Sequence, residues 1–116
     1  VLVLAGEMPG AAALAAAAAA RSGAGYVRLV APHPVAGAPA AVVQGSDDAE
    51  AALADARMGS VLVGPGLGRS DAARRLLDQA LASGRPLVLD GDALTLLGNQ
   101  APERLRGTCA ILTPHS

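Results

Sequence analysis

Three short apolar runs in this chain stop abruptly at glycine, proline, aspartate or histidine, and that pattern leaves few folds open. SVLVGPGLGR fills residues 60–69, PLVLDGDAL residues 86–94 and CAILTPHS residues 109–116. Each run is nearly continuous in Val, Leu and Ile, which is the pattern of a strand buried on both faces. Each is followed by residues that turn the chain or carry polar chemistry. Strands of this kind belong to parallel sheets, and in open α/β sheets the ligand crevice lies outside the carboxyl ends of the strands. Three such ends in series therefore mark a binding edge. The third reaches that edge as the sequence stops at Ser116.

The remaining segments alternate with these runs. VLVLA (1–5) reads as a strand, GEMPG (6–10) as a turn, and residues 11–22 as an Ala-rich helix stopped by Gly23 and Gly25. YVRLVA (26–31) is a second strand, broken by Pro32 and Pro34, and AVVQ (41–44) a short strand or extended piece. Asp47 and Asp48 are placed to cap a helix running to about Met58. Strands follow over 60–64, 86–90 and 109–113. Between them lie an amphipathic helix over 71–83, with Leu76, Leu77, Ala80 and Leu81 on its apolar side, and a short helix over 92–97 opened by Asp92. Such alternation gives βαβ units with right-handed crossovers. The fold class is α/β, a mainly parallel sheet with helices on both faces.

Composition narrows the function classes. Apolar residues make up 52% of the chain, yet Tyr26 is its one aromatic, so the core is built from Ala, Val, Leu and Ile with close element spacing. A formal charge of −1 and the lack of stacking aromatics exclude the usual means of binding nucleic acid. All nine basic residues are Arg, which removes a P-loop lysine and a Schiff-base lysine from this segment. Cys109 is the only cysteine; it reads as a buried thiol in an apolar run and suits a reducing, cytoplasmic setting. At about 1.5 Å per residue, the Ala run over 11–20 is too short for a hydrocarbon core of ~30 Å, so no membrane span is expected. The chain suits one small domain or part of a larger one. Val1 already lies within an apolar run, and both ends are expected to be internal to a longer protein.

Four groups of residues can carry chemistry. In GPGLG, Gly64, Gly66 and Gly68 allow positive φ and close ligand approach, leaving backbone N–H groups to meet an anion or amide; the same residues also suit an ordinary βα turn. Their spacing matches neither the dinucleotide fingerprint nor the P-loop. Asp90 and Asp92, at a strand's end, suit Mg²⁺ held through water or substrate hydroxyls, while Asp92 equally suits a helix cap and Asp90 a loop tie. His115, after the rigid Pro114, can donate to a ligand amide or hydroxyl, move a proton, or serve structure alone. Gly10 and Ala11 are small enough to let a flat ligand lie at the start of the Ala-rich helix. His33, between prolines, reads as part of a rigid surface loop.

In order along the chain, VLVLAG…PGAA, ARSGAGYVRL, VLVGPGLG, PLVLDGDAL and ILTPH resemble the NAD(P)H-hydrate dehydratase family of the ribokinase-like superfamily. The resemblance implies that residues 1–116 are the N-terminal part of one such domain. It implies dehydration of the S-epimer of NADH hydrate and NADPH hydrate back to the reduced cofactor, through phosphorylation of the ring hydroxyl and elimination. ADP or ATP would be the co-substrate, with Mg²⁺. Ala11, Gly66 and His115 match positions that contact the hydrate; Gly64, Leu67 and Gly68 would complete that loop, Gly10 would flank Ala11, and Asp90 and Asp92 would line the site floor. The family's Gly-Glu-Phe-like stretch and its Gly-Thr-Gly-Asp-like turn, which supplies the catalytic Asp, would follow Ser116, so no catalytic residue is assigned within this chain. Two departures stand out: GEMPG is shorter than the family's usual Ser-containing loop, and VAGAPAAVVQ replaces its Pro-Glu pair. The resemblance also implies a homo-oligomer and, in many bacterial members, a fused epimerase domain. Competing readings are a vitamin-precursor kinase of the same superfamily and a nucleotide-binding module without catalysis.

Overall fold

Strands and helices alternate along the computed structural model, which describes residues 1–45 and 48–115. The order is β1 (Leu2–Leu4), α1 (Pro9–Arg21), β2 (Arg28–Val30), α2 (Ala49–Ala54), β3 (Val61–Val63), α3 (Asp71–Ala82), β4 (Leu87–Asp90) and α4 (Asp92–Leu97). A 3-10 turn (Gly98–Gln100), α5 (Ala101–Arg104) and β5 (Ala110–Thr113) complete it. The five strands form one sheet in the order β2-β1-β3-β4-β5, and every neighbouring pair is parallel. All carboxyl ends therefore open on the same edge.

Two apolar layers cover the sheet. On one face Leu2, Leu4, Val61, Val63, Leu87 and Leu89 meet Ala52 and Leu53 of α2, Ala73, Leu77 and Ala80 of α3, and Ala93 and Leu97 of α4. On the other, Val3, Ala5 and Leu29 meet Ala12, Ala13 and Ala16 of α1. Alanine dominates α1 because it has the highest helix propensity and the smallest side chain that still excludes water. Pro9 opens that helix, where its missing N–H costs nothing, and Arg21 sits in its last turn. Register carries one row across the sheet, from Leu29 through Val3, Leu62 and Val88 to Ile111. Its burial fades along the row, from 1% exposure at Val3 to 64% at Ile111.

Several elements differ from the sequence-based expectation. Residues 41–44 make a single bridge, Val43 with Arg28, so the strand alternative gives way to the extended one. The helix expected over 47–58 is the shorter α2; Asp48 does cap it, accepting from the Ala51 N–H at 2.9 Å, whereas Asp47 lies outside the described residues. Asp55 already has extended backbone, and the Arg85 guanidinium takes the freed carbonyls: Leu53 at 3.2 Å, Asp55 at 3.0 Å and Met58 at 2.9 Å. The 3-10 turn and α5 occupy a stretch that carries Gly, Asn and Pro and to which the sequence reading assigned no element. Cys109 is exposed, against the buried thiol expected, because it precedes β5, the outermost strand. No helix among the described residues is long and apolar enough to cross a membrane.

Two arginines at the amino-terminal edge of the sheet act locally. Arg57 forks onto Asp55, with Nη2 to Oδ2 at 2.7 Å and Nε to Oδ1 at 3.1 Å, and stacks 4.6 Å from the Tyr26 ring centre. The Arg57 hydrogen bonds hold the Asp55 carboxyl down at about 2. Because the folded value is depressed, this contribution is complete above the ordinary 3.8 and is lost as pH falls to about 2. Melting temperature should show that acid component, and Asp55→Asn should remove it, lowering the plateau above the ordinary 3.8 slightly and flattening the fall towards about 2. Arg85→Met leaves three carbonyls without their shared donor and should cost about 1–3 kcal/mol by denaturant unfolding.

Candidate functional site

The chain leaves β1 for β2 on one side and returns to add β3 on the other side of β1. That reversal makes the carboxyl ends of β1 and β3 the topological switch point, where open α/β sheets hold ligands. Here the two loops touch backbone to backbone. Met8 N–H donates to the Gly66 carbonyl at 2.8 Å and Glu7 N–H to the Leu67 carbonyl at 3.3 Å. Leu67 N–H donates to the Gly64 carbonyl at 3.0 Å, closing a tight turn with Pro65 and Gly66 at its centre, the pair that a type II turn favours.

Glycine is required at two of these positions. Gly64 has φ +134° and a Cβ there would overlap the backbone of Asp90 in the neighbouring strand. Gly66 has φ +65° and a Cβ would overlap the Met8 carbonyl. The glycines thus let three strand ends converge.

Two carboxylates tie the convergence together. Asp92, in the first turn of α4, accepts the Gly68 N–H at 2.8 Å through Oδ2 and faces Arg69 Nε at 3.4 Å through Oδ1. It was expected to cap α4, but Gly91 holds the cap position with φ +51°, and the Asp92 side chain turns to the β3 loop instead. Asp90 accepts the Thr113 hydroxyl at 2.7 Å, fixing the end of β4 to the end of β5, directly before Pro114 and His115. Neither carboxylate is left idle.

The result is a cleft of about 680 Å³ walled by Ala11, Gly64, Gly66, Asp90, Asp92 and His115, with Arg69, Thr95 and Pro114 also on its surface. Gly66 and Ala11 lie side by side in that lining, which also carries polar side chains. Such a cleft admits a flat ring against backbone and offers carboxylate, guanidinium and imidazole groups to its substituents. The family model described as NAD(P)H-hydrate dehydratase matches residues 1–116. The chain belongs to the NAD(P)H-hydrate dehydratase family. Its α/β fold is accordingly ribokinase-like.

Individual relatives agree with this family membership. The chain is 41% identical over 125 residues to a bifunctional NAD(P)H-hydrate repair enzyme of Coxiella burnetii, covering 99% of this chain and 25% of that protein. It is 40% identical over 88 residues to an ATP-dependent (S)-NAD(P)H-hydrate dehydratase of Bos taurus, covering 72% and 25%. An ADP-dependent (S)-NAD(P)H-hydrate dehydratase of Lactiplantibacillus plantarum is 44% identical over 63 residues, covering 52% and 22%. The chain spans about a quarter of the length of the curated relatives it matches.

Not every site residue expected of this family member meets the cleft. Gly10 lies exposed on α1, outside the cleft wall. Leu67 is fully buried, a core side chain whose only loop contribution is its backbone. Gly68 is buried too, packed against the Glu7 carboxylate and joined to the site only through Asp92. Sequence reasoning missed Arg69 and Thr95. Arg69 directly follows the glycine turn, but nothing local distinguishes it from the other eight arginines; the return of α4, which sets Asp92 beside it, singles it out.

Among the described residues no three acidic, His or Cys side chains gather as a metal cage. Asp90 and Asp92 already serve Thr113, Gly68 and Arg69, so this part of the fold does not fit a dedicated Mg²⁺ site.

The close contact at Gly64 gives a direct test. Gly64→Ala should cost about 3 kcal/mol in denaturant unfolding, from strain plus overlap. Gly10→Ala, on an open helix surface with nothing within 4 Å of the added methyl, should be neutral or slightly stabilising.

Proposed function

We propose that the protein containing this chain returns the S-epimers of NADH hydrate and NADPH hydrate to the reduced cofactors, using ADP or ATP. The observation that supports it most is the cleft at the switch point, in a chain matched by the family model from end to end. The relatives of Bos taurus and Lactiplantibacillus plantarum support the reaction class, since both are named (S)-NAD(P)H-hydrate dehydratases.

The chemistry needs three things. The ring hydroxyl must be phosphorylated, because hydroxide leaves poorly. Phosphate must then depart with the C–O bonding pair, and a ring proton must be lost to restore the double bond. Within this reading the small wall of Ala11 and Gly66 receives the flat hydrated ring. His115 donates to its amide or hydroxyl, holding the hydroxyl in one orientation for transfer. Asp90 keeps His115 in reach by holding Thr113, and the tie from Asp92 keeps the glycine turn closed on its ligand. The base that takes the proton is proposed to come from the Gly-Thr-Gly-Asp-like turn of the family, outside this chain. Mg²⁺ would arrive with the nucleotide phosphates and neutralise their charge.

Bifunctional relatives support a fused second activity, proposed to be the epimerase. A homo-oligomer in the cytoplasm belongs to the same proposal.

The full-length protein should be supplied with NADH hydrate and either ADP or ATP, and the return of reduced-nicotinamide absorbance followed. Recovery is expected with one nucleotide, and His115→Ala should lower kcat/KM by about 10²-fold, the effect of losing one positioned donor. Folded protein that recovers nothing with either nucleotide would overturn the proposal, and a stable phosphorylated vitamin precursor would replace it with the kinase reading.

A further inference from the structure

Arg69 is the one cationic side chain, His115 aside, on the wall of the cleft among the described residues. It is held there by a single contact, Nε to Asp92 Oδ1 at 3.4 Å, while 64% of its side chain remains exposed. A one-point contact at such an exposed arginine adds little to stability. Two other partnered arginines look different. Arg85 spends its guanidinium on three carbonyls, and Arg57 forks onto Asp55. Both sit at the opposite edge of the sheet. At Arg69 the Nε is engaged and the Nη groups have no protein partner among the described residues, so the face of the fork that fits phosphate bidentately remains open.

Asp92 accounts for the orientation. One oxygen is spent on the Gly68 N–H, which fixes the carboxylate relative to the glycine turn, and the other meets Arg69 from behind. Both residues therefore move with the turn that walls the cleft. We propose that Arg69, steered by Asp92, binds a phosphate group of the ligand that occupies the cleft. Arg69 is a binding residue on this reading and Asp92 a positioning residue. The assignment deepens the proposed reaction and takes its choice of ligand from it: the phosphate belongs to the dinucleotide being repaired or to the nucleotide co-substrate.

The test is calorimetric titration of the full-length protein with inorganic pyrophosphate, NADH and ADP in turn, each at two salt concentrations. Arg69→Met should weaken pyrophosphate binding about 10–100-fold and flatten its salt dependence. Arg69→Lys, which keeps the charge without the fork, should restore part of the affinity. A matching loss for NADH alone assigns Arg69 to the substrate's phosphates, and for ADP alone to the co-substrate's. Asp92→Asn keeps an acceptor for Gly68 N–H, so its melting temperature should stay near wild type while the salt dependence of pyrophosphate binding changes; a purely structural role would move melting alone. Unchanged affinity of folded Arg69→Met for all three probes would overturn the inference, as would a wild-type protein that binds none of them. Anion binding that needs Arg69, without turnover of NADH hydrate, would keep this inference and sink the proposed reaction.

Discussion

Backbone packed against backbone at the carboxyl edge of the sheet is the constraint on which the rest depends. Gly64 lies against Asp90, and Gly66 lies against Met8, at separations that no side chain permits. Those two contacts bring the ends of β1, β3 and β4 together, and β5 joins through the bond from Thr113 to Asp90. The cleft is the space left over once these ends have converged. Its carboxylates are held by the converging elements, Asp92 through the Gly68 N–H and Asp90 through the Thr113 hydroxyl.

The sheet separates two uses of arginine. At the amino-terminal edge Arg57 and Arg85 satisfy a carboxylate and a set of helix-end carbonyls, and their work is finished within the protein. At the carboxyl edge Arg69 has one partner and open water. All nine Lys or Arg residues are Arg, so position in the fold, and not residue type, tells the two uses apart.

Much of the architecture was legible because strand and helix periods are local. The runs that became β1, β3 and β4 were readable from continuous Val and Leu, and α3 from the spacing of Leu76, Leu77, Ala80 and Leu81. What failed was whatever depends on distant chain. The helix after Asp48 stops early, at Asp55, where Arg85 from another loop collects the free carbonyls. Asp92 looked like a cap by its spacing, yet Gly91 takes the cap and the carboxylate reaches 24 residues back to Gly68. Leu67 sits in a glycine-rich loop and was placed with the residues completing the ligand site, but the turn around Pro65 and Gly66 points it into the core. Cys109 opens an apolar run, which says nothing about being on the last strand of the sheet.

The alanines of α1 carry a further consequence. Ala12 and Ala16 are fully buried against the sheet, one and five residues beyond the Ala11 that walls the cleft. The distance between helix and sheet is set by a single methyl group at each of these positions. A Val or Leu there would lift the helix from the sheet and carry Ala11 with it, opening the cleft from behind. The breadth of the binding site is thus gauged by side chains that never meet a ligand, and substitutions hidden within the helix interface would be read out as altered ligand selectivity.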